Sequence, residues 1–225
     1  MPKLMDAHRL IGPVPFDDLP ADPRPEMDRL GIDRACVTHT LSLYSGAQAG
    51  NEALFALDDP RLIPVPAVLP GDIALDEVLE WDVPLVRLCP RRHGFDLNGP
   101  TSLRYLSALT VPVAVELDDT DPAQLRALAA HLPDLRILLL NPGYRRLRAV
   151  AELMDAAPRV VLEIGTVNTQ GGVEWLARRF GARRLVFGTG APVLDDCGPR
   201  FLLDHLDLPQ HDIDLIRAGS LEALL

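Results

Sequence analysis

The segment at residues 111–141, VPVAVELDDTDPAQLRALAAHLPDLRILLLN, contains the pattern that decides the expected fold. An apolar run over residues 111–118 is followed by helical spacing over 122–132 and by a second apolar run over 135–141. Asp121 before Pro122 is a typical helix start, because the aspartate accepts hydrogen bonds from free amides and proline suits the first helical position. Strand, helix and strand in this order indicate two parallel strands joined by a crossover helix.

The same alternation runs along the whole chain. Apolar runs predict eight strands, near residues 3–8, 34–39, 63–69, 85–90, 111–118, 135–141, 160–165 and 184–188. Helical spacing lies between them, over residues 50–57, 72–80, 101–109, 122–132, 145–157 and 172–180. No linker or change of composition divides the chain. We therefore predict an α/β fold, a single compact (β/α)8 TIM-type barrel domain over residues 1–225, with a doubly wound open sheet as the alternative.

Composition narrows the classes of partner. The formal net charge of -10 argues against a nucleic acid held by phosphate contacts, because such a surface is normally basic. No apolar run approaches the roughly 20 residues of a membrane span. The first residues reach Asp6 before any signal region forms, so we expect a cytoplasmic protein with a small-molecule ligand. Its three cysteines are far apart in sequence and indicate neither a zinc ribbon nor a disulfide framework.

Strand alternation predicts which polar side chains point into the barrel. On the fifth strand Val113, Val115 and Leu117 should face the helices, which leaves Glu116 and Asp118 inside. The same alternation places three more side chains inside, Glu163 on the seventh strand and Arg87 and Cys89 on the fourth. Carboxyl ends of barrel strands carry the chemistry of enzymes with this fold. We therefore expect a polar crown at this mouth, with Arg87 as counter-ion to its carboxylates.

Five more polar residues are candidates for the same mouth. Asp6 and His8 share a face of the first strand, and Asn141 ends the sixth. His39 ends the second strand and is either a rim or a core residue, while His93 lies in the loop after the fourth strand. The proline-rich loop over residues 13–25 is either a connector around the rim or a lid.

Four segments of the chain carry a resemblance to a known family. MDAHRLIG at residues 5–12 resembles its first-strand Asp-x-His-x-His-x-Gly, with Leu10 at the second histidine, and LVFGTGAP at 185–192 resembles its Phe-Gly-Thr-Asp-x-Pro, with Gly190 at the aspartate. RRFGARRLVFGT at 178–189 is the strongest match, and AGSLEALL at 218–225 resembles the closing helix. The family is the amidohydrolase-related proteins, metal-dependent barrel hydrolases that include decarboxylases of aromatic acids.

The resemblance implies a damaged metal site. Asp6 and His8 match, whereas Leu10 and Gly190 do not, and the family's ligands on the fifth and sixth strands are replaced by Glu116 and Asn141. We therefore predict no metal ligands and no cofactor, leaving open weak or non-standard divalent metal binding.

Two functions remain from this resemblance. The first is a divergent enzyme acting on a small, anionic molecule by hydrolysis or decarboxylation. Its catalytic residues would be His8, Asp6, His93, Glu116 and Glu163, and its substrate-binding residues Arg87, His39, Asp118 and Asn141. The alternative is an inactive barrel that serves as a binding or oligomerising module. The resemblance also implies a homodimer.

Overall fold

The computed structural model describes residues 3–225; Met1 and Pro2, which begin the predicted domain, lie outside the described residues. The strands are β1 Met5–Ile11, β2 Arg34–His39, β3 Leu62–Pro64, β4 Val86–Leu88, β5 Val113–Glu116, β6 Ile137–Leu140, β7 Val160–Glu163 and β8 Leu185–Val186. The helices are α1 Arg24–Leu30, α2 Thr40–Tyr44, α3 Ala47–Phe55, α4 Leu75–Glu80, α5 Pro90–His93, α6 Pro100–Ala108, α7 Pro122–His131, α8 Leu147–Ala156, α9 Gly172–Phe180, α10 Cys197–Asp204, α11 Gln210–Asp214 and α12 Ser220–Leu224.

The strands form a closed parallel barrel. β1, β2 and β3 pair in order, as do β4 through β8, and every pair is parallel. Backbone hydrogen bonds cross both remaining gaps: Val68 N donates to Arg87 O at 2.9 Å, and Ala7 N donates to Phe187 O at 2.9 Å. The predicted (β/α)8 TIM-type barrel is confirmed. The open-sheet alternative is wrong, because β1 bonds to the chain that follows β8.

Two apolar layers hold the barrel together. Side chains on the outer faces of the strands pack against the helices, as Val113, Val115 and Leu117 do on and just after β5. A second layer fills the lumen below the mouth, with members Met5, Cys36, Ile63, Val65, Leu85, Ala114, Leu138, Leu140 and Val186. The alternation predicted for β4 and β5 is therefore confirmed up to Glu116. The lumen is a packed core rather than a pore.

The three cysteines differ in their exposure to solvent. Cys36 and Cys89 are buried and unpaired, and burial raises the pKa of their thiols to about 12 and about 11. They fill space as small apolar residues, as expected. Cys197 instead is exposed, and its Sγ accepts a hydrogen bond from Arg29 Nη1 at 3.4 Å. Within residues 3–225 no helix has the length and apolar character that crossing a bilayer requires.

Sequence periodicity missed α1, α2, α5, α10 and α11, of which α2 and α5 are each about one turn long. α2 begins directly after β2, where His39 Nδ1 accepts a hydrogen bond from Leu41 N at 3.2 Å and caps the helix. α5 begins directly after β4 with Pro90 at its first position, which suits the fixed φ of proline. Both helices stand on the carboxyl-end face of the barrel, and they shape its mouth.

Candidate functional site

Five polar side chains from five strands form a ring at the carboxyl-end mouth of the barrel. We call this set the mouth ring: His8 from β1, Arg87 from β4, Glu116 from β5, Asn141 after β6 and Glu163 from β7. Arg87 Nη1 lies 3.1 Å from His8 Nε2, and Arg87 Nη2 donates to Glu116 Oε2 at 2.8 Å. Asn141 Nδ2 donates to Glu116 Oε1 at 2.6 Å, and Asn141 N donates to Glu163 Oε2 at 2.9 Å. His8 Nδ1, 3.9 Å from Glu163 Oε2, completes the ring.

The contact with Arg87 fixes the tautomer of a neutral His8. A guanidinium can only donate hydrogen bonds, so His8 Nε2 must accept. In the neutral imidazole the proton therefore sits on Nδ1, which is buried, has no hydrogen-bond partner among residues 3–225 and faces Glu163. Histidine and carboxylate are thus arranged as a proton donor and its orienting partner.

The charge of the mouth ring is concentrated in one ion pair. Arg87 is 1% exposed and Glu116 is 18% exposed, so the pair lies largely out of water. Burial by itself would raise the pKa of the Glu116 carboxyl, but the Arg87 guanidinium, His8 and the Asn141 amide together hold that pKa below its usual value. Glu116 is therefore ionised at neutral pH, and it is the ring member most open to solvent.

Two glycines make room for Glu163. A Cβ on Gly188 would lie 2.5 Å from Glu163 Cγ, and a Cβ on Gly165 would lie 2.1 Å from Gly188 O. Glu163 Oε1 also accepts a short hydrogen bond from Gly165 N. The carboxylate is fully buried, so these contacts replace the water that it loses.

Asn141 has the one positive φ found outside glycine in residues 3–225, at 48°. Asparagine tolerates this left-handed conformation better than most residues. The turn directs both its backbone amide and its side chain into the mouth ring. Unusual backbone conformations of this kind are often found at functional sites.

Asp6 belongs to a neighbouring buried network rather than to the mouth ring. Its carboxylate accepts from Thr189 Oγ1 at 2.7 Å, Thr189 N at 3.1 Å and His8 N at 2.9 Å, and lies 3.4 Å from Arg9 Nη1. The register of β1 against β2 shifts between Asp6 and Arg9, so the predicted alternation fails there. Burial outweighs these partners and raises the pKa of Asp6. Sequence reasoning missed the roles of Arg9, which is 1% exposed, and Thr189, although both lie inside quoted motifs.

Three further candidates lie outside the mouth ring. His39 caps α2. Asp118 was expected inside, but β5 ends at Glu116 and the chain turns, so the Asp118 side chain is 72% exposed and pairs with Arg146 at 2.7 Å. His93 on α5 has its Nε2 2.8 Å from Ser42 O, which ties α5 to α2. Asp119, the residue after Asp118, is the buried acid in the turn that follows β5, and its carboxylate accepts a hydrogen bond from Arg92 N at 3.2 Å.

An apolar layer lies beside the mouth ring at the same end of the barrel. Leu10, Leu43 and Cys89 are each at most 5% exposed and pack together, with Tyr44 against them. Phe16, from the proline-rich loop, contacts Tyr44 edge to face at 5.2 Å between ring centroids. Leu10, the residue at the expected second histidine, is therefore an apolar packing residue.

Comparison with known proteins gives the family. The amidohydrolase family model matches residues 5–218. The chain belongs to the amidohydrolase family. No curated protein matches it. Its fold is similar to that of 5-carboxyvanillate decarboxylase from Sphingomonas paucimobilis, with 11% sequence identity, a TM-score of 0.75 and coverage of 100% of this chain and 99% of that one. It is also similar to 2,6-dihydroxybenzoate decarboxylase from Rhizobium, with 14% identity, a TM-score of 0.72 and coverage of 100% and 98% of the two chains. A third protein of similar fold is dihydroxybenzoic acid decarboxylase from Polaromonas sp. JS666, with 14% identity, a TM-score of 0.71 and coverage of 100% of this chain and 97% of that one.

The comparison corrects the expectation about cofactors. The Polaromonas enzyme holds bound manganese together with the inhibitor 2-nitroresorcinol, and a similar 5-carboxyvanillate decarboxylase from Novosphingobium aromaticivorans also holds manganese. The expectation of no cofactor is therefore wrong for this fold family, because its barrels accommodate a divalent metal.

The mouth of this amidohydrolase-family barrel nevertheless offers few donors to such an ion. Manganese prefers about six oxygen or nitrogen ligands. His8 Nδ1 and Glu163 Oε2 face each other, but His8 Nε2 already accepts from Arg87. Gly190 has a φ of 72°, and a Cβ there would lie 2.7 Å from Leu194. The side chains of the mouth ring thus do not form a complete manganese site by themselves.

Among residues 3–225, one group of three ligand-bearing side chains converges: Asp195, Asp196 and Cys197. Asp195 accepts from the amides of Cys197 and Gly198, which makes it a turn residue at the start of α10. Asp196 pairs with Arg29 at 3.0 Å. These partners account for the cluster as local structure.

Proposed function

We propose that this amidohydrolase-family protein is an enzyme that acts on a small aromatic carboxylate, by decarboxylation in the first place and by hydrolysis as the second possibility. The observation that carries the proposal is the Arg87 guanidinium, a permanent cation 1% exposed at the mouth between His8 and Glu116. Decarboxylases of aromatic acids with the same fold support the substrate class. The family match over residues 5–218 supports one barrel domain.

The substrate carboxylate would take the place of Glu116 on Arg87. Glu116 is the ring member most open to solvent, and a single hydrogen bond, from Arg87 Nη2 to Glu116 Oε2 at 2.8 Å, joins the two side chains. Exchange of one carboxylate for another leaves Arg87 paired and costs little desolvation. Release of Glu116 leaves it hydrogen-bonded to Asn141.

His8 would supply the proton that decarboxylation requires. When the bond from the ring carbon to the carboxyl group breaks, carbon dioxide leaves and the electron pair stays on the carbon, which then takes a proton. His8 would give this proton as the imidazolium and return to the neutral imidazole, and the Glu163 carboxylate, 3.9 Å from His8 Nδ1, would stabilise the positive charge that His8 carries before the transfer. Glu163 is held by Asn141 N and Gly165 N and acts as a positioning residue.

A second function, an inactive barrel that binds a ligand or a second copy of the chain, has its own supporting observation. Four of the five members of the mouth ring are at most 7% exposed, and none of them lines any of five surface cavities of 260 to 690 Å³. In that case the ring is a structural plug. If the protein is instead the proposed enzyme, the buried mouth ring must open to admit the substrate.

Product formation from 2,6-dihydroxybenzoate and 5-carboxyvanillate, with manganese supplied, tests the proposal. We expect turnover by the native protein and a fall of about 10²-fold or more in His8→Gln, because general acid catalysis contributes that much. His131→Gln is the matched control, since His131 is exposed on α7 and hydrogen-bonds Ala127 O. Equal rates in the two variants contradict the role of His8. Absence of turnover of both acids by the native protein favours the inactive barrel.

A further inference from the structure

A cavity opens between α2 and α5 on the carboxyl-end face, outside the mouth ring. Its volume is about 520 Å³, which lies in the range of roughly 300–1,000 Å³ usual for small-molecule sites. Leu43, Leu69 and Ile73 provide apolar surface, and Tyr44, Arg92 and His93 provide an aromatic ring, a cation and an imidazole. The cavity thus combines the groups that a planar anion requires.

Arg92 has free hydrogen-bonding capacity on this wall. Its guanidinium carbon lies 5.1 Å from the centroid of the Tyr44 ring. Its Nε is 3.7 Å from Asp119 Oδ2, while Nη1 and Nη2 have no hydrogen-bond partner in the part of the chain that the structure describes. The side chain is 34% exposed. Two parallel N–H groups are therefore available to a carboxylate.

Tyr44 supplies the apolar half of the site. Its ring is only partly buried, and the exposed Phe16 ring meets it edge to face at 5.2 Å. A planar ligand ring gains contact area from such aromatic neighbours at little cost in side-chain entropy. The Tyr44 ring and the Arg92 guanidinium, 5.1 Å apart, therefore offer neighbouring contacts to a ligand ring and its carboxylate.

The cavity and the mouth ring are neighbours separated by one apolar layer. Leu43 lines the cavity, and it also packs against Leu10 and Cys89 beside the ring. His93 Nε2 lies 2.8 Å from Ser42 O, so α5 holds α2 in place next to the cavity. A molecule bound here would lie one side chain away from the mouth.

We propose that the cavity between α2 and α5 is a separate binding site for a planar aromatic carboxylate, in which Arg92 pairs with the carboxylate and Tyr44 packs against the ring. The identity of the ligand rests on the proposed function; the location of the site does not. Asp72 also lines the cavity and opposes an anion there. Its removal should therefore tighten binding.

Calorimetric titration of the 225-residue chain with 2,6-dihydroxybenzoate tests the site. We expect Arg92→Met to raise the Kd about 10-fold or more and Asp72→Asn to lower it several-fold. Arg91→Met is the matched control: Arg91 is the preceding exposed arginine, and it donates to the backbone oxygens of Asp118 and Thr120. Tyr44→Phe should preserve binding and Tyr44→Ala should weaken it, because the ring rather than the hydroxyl makes the contact.

The outcomes separate this site from the proposed function. Equal Kd values in Arg92→Met and Arg91→Met overturn the site. Loss of binding in Arg87→Met with retention in Arg92→Met also overturns it, and leaves the mouth as the binding site. Weakened binding in Arg92→Met without turnover by the native protein supports the site while the enzymatic proposal fails. Failure of the native protein to bind 2,6-dihydroxybenzoate at millimolar concentration contradicts the site.

Discussion

Replacing Arg87 by methionine measures whether the mouth ring is a plug. The change leaves Glu116 without its cation and His8 Nε2 without its donor. Removing one partner of a buried pair costs about 3–5 kcal/mol. The lower end applies here, about 3 kcal/mol, because Glu116 is 18% exposed and keeps its hydrogen bond from Asn141. With a urea slope of about 2–3 kcal/mol per molar, the unfolding midpoint should fall by about 1–1.5 M.

The contribution of the Arg87–Glu116 ion pair to the free energy of unfolding depends on pH through the Glu116 carboxyl. Its pKa in the folded protein is held below its ordinary value of 4.5, so the ion pair stabilises the fold fully above about that pH. As the pH falls below 4.5 towards the folded pKa, the carboxylate takes up a proton and the contribution is lost. The difference between native protein and Arg87→Met should therefore be largest near pH 7 and shrink in acid.

Arg126→Met is the control for unfolding, because Arg126 is exposed on α7 and surface changes of this kind cost at most about 0.5 kcal/mol. A midpoint for Arg87→Met that matches the control would show that water solvates Glu116 once the guanidinium is gone. That result would refute the buried-pair reasoning and indicate an open mouth. It would also remove the main support for the inactive barrel.

Two further substitutions test the packing around the mouth by urea unfolding. Thr189→Val should lower the free energy of unfolding by about 1–3 kcal/mol, because the buried Asp6 carboxylate loses the hydroxyl that donates to it at 2.7 Å. Thr189→Ser keeps the hydroxyl and should lower it less. Equal losses of stability in the two variants would contradict this role of Thr189. Gly165→Ala should cost about 3 kcal/mol, because its Cβ would lie 2.1 Å from Gly188 O and the backbone must move. Gly46→Ala is the control, because a Cβ at Gly46 would meet no atom within 4 Å, and it should change the free energy of unfolding by about 0.5 kcal/mol or less. An equally small effect of Gly165→Ala would show that the strands separate easily there.

The two short helices beside the mouth, α2 and α5, could not be predicted from sequence periodicity. α2 and α5 are each about one turn long, so they are too short to show a helical period. Their importance comes from contacts across the face of the barrel, between His93 and Ser42 and between Arg92 and Tyr44. Such contacts join residues about 50 positions apart, and the local pattern carries no information about them.

Only the hydrogen bonds between β1 and the chain after β8 decided that the barrel closes, because the sequence left an open sheet as the alternative. The sequence by itself determined where the strands lie and the inward direction of Arg87, Glu116 and Glu163. These follow from a period of two residues within each strand, which is a local property of the backbone. Only the tertiary structure decided that Asp6 leaves the mouth ring, because the register shift in β1 depends on its pairing with β2. It also decided that Asp118 faces solvent, since the chain turns at the end of β5. Where a strand ends or bulges depends on neighbouring strands, and the alternation of side chains stops at that point.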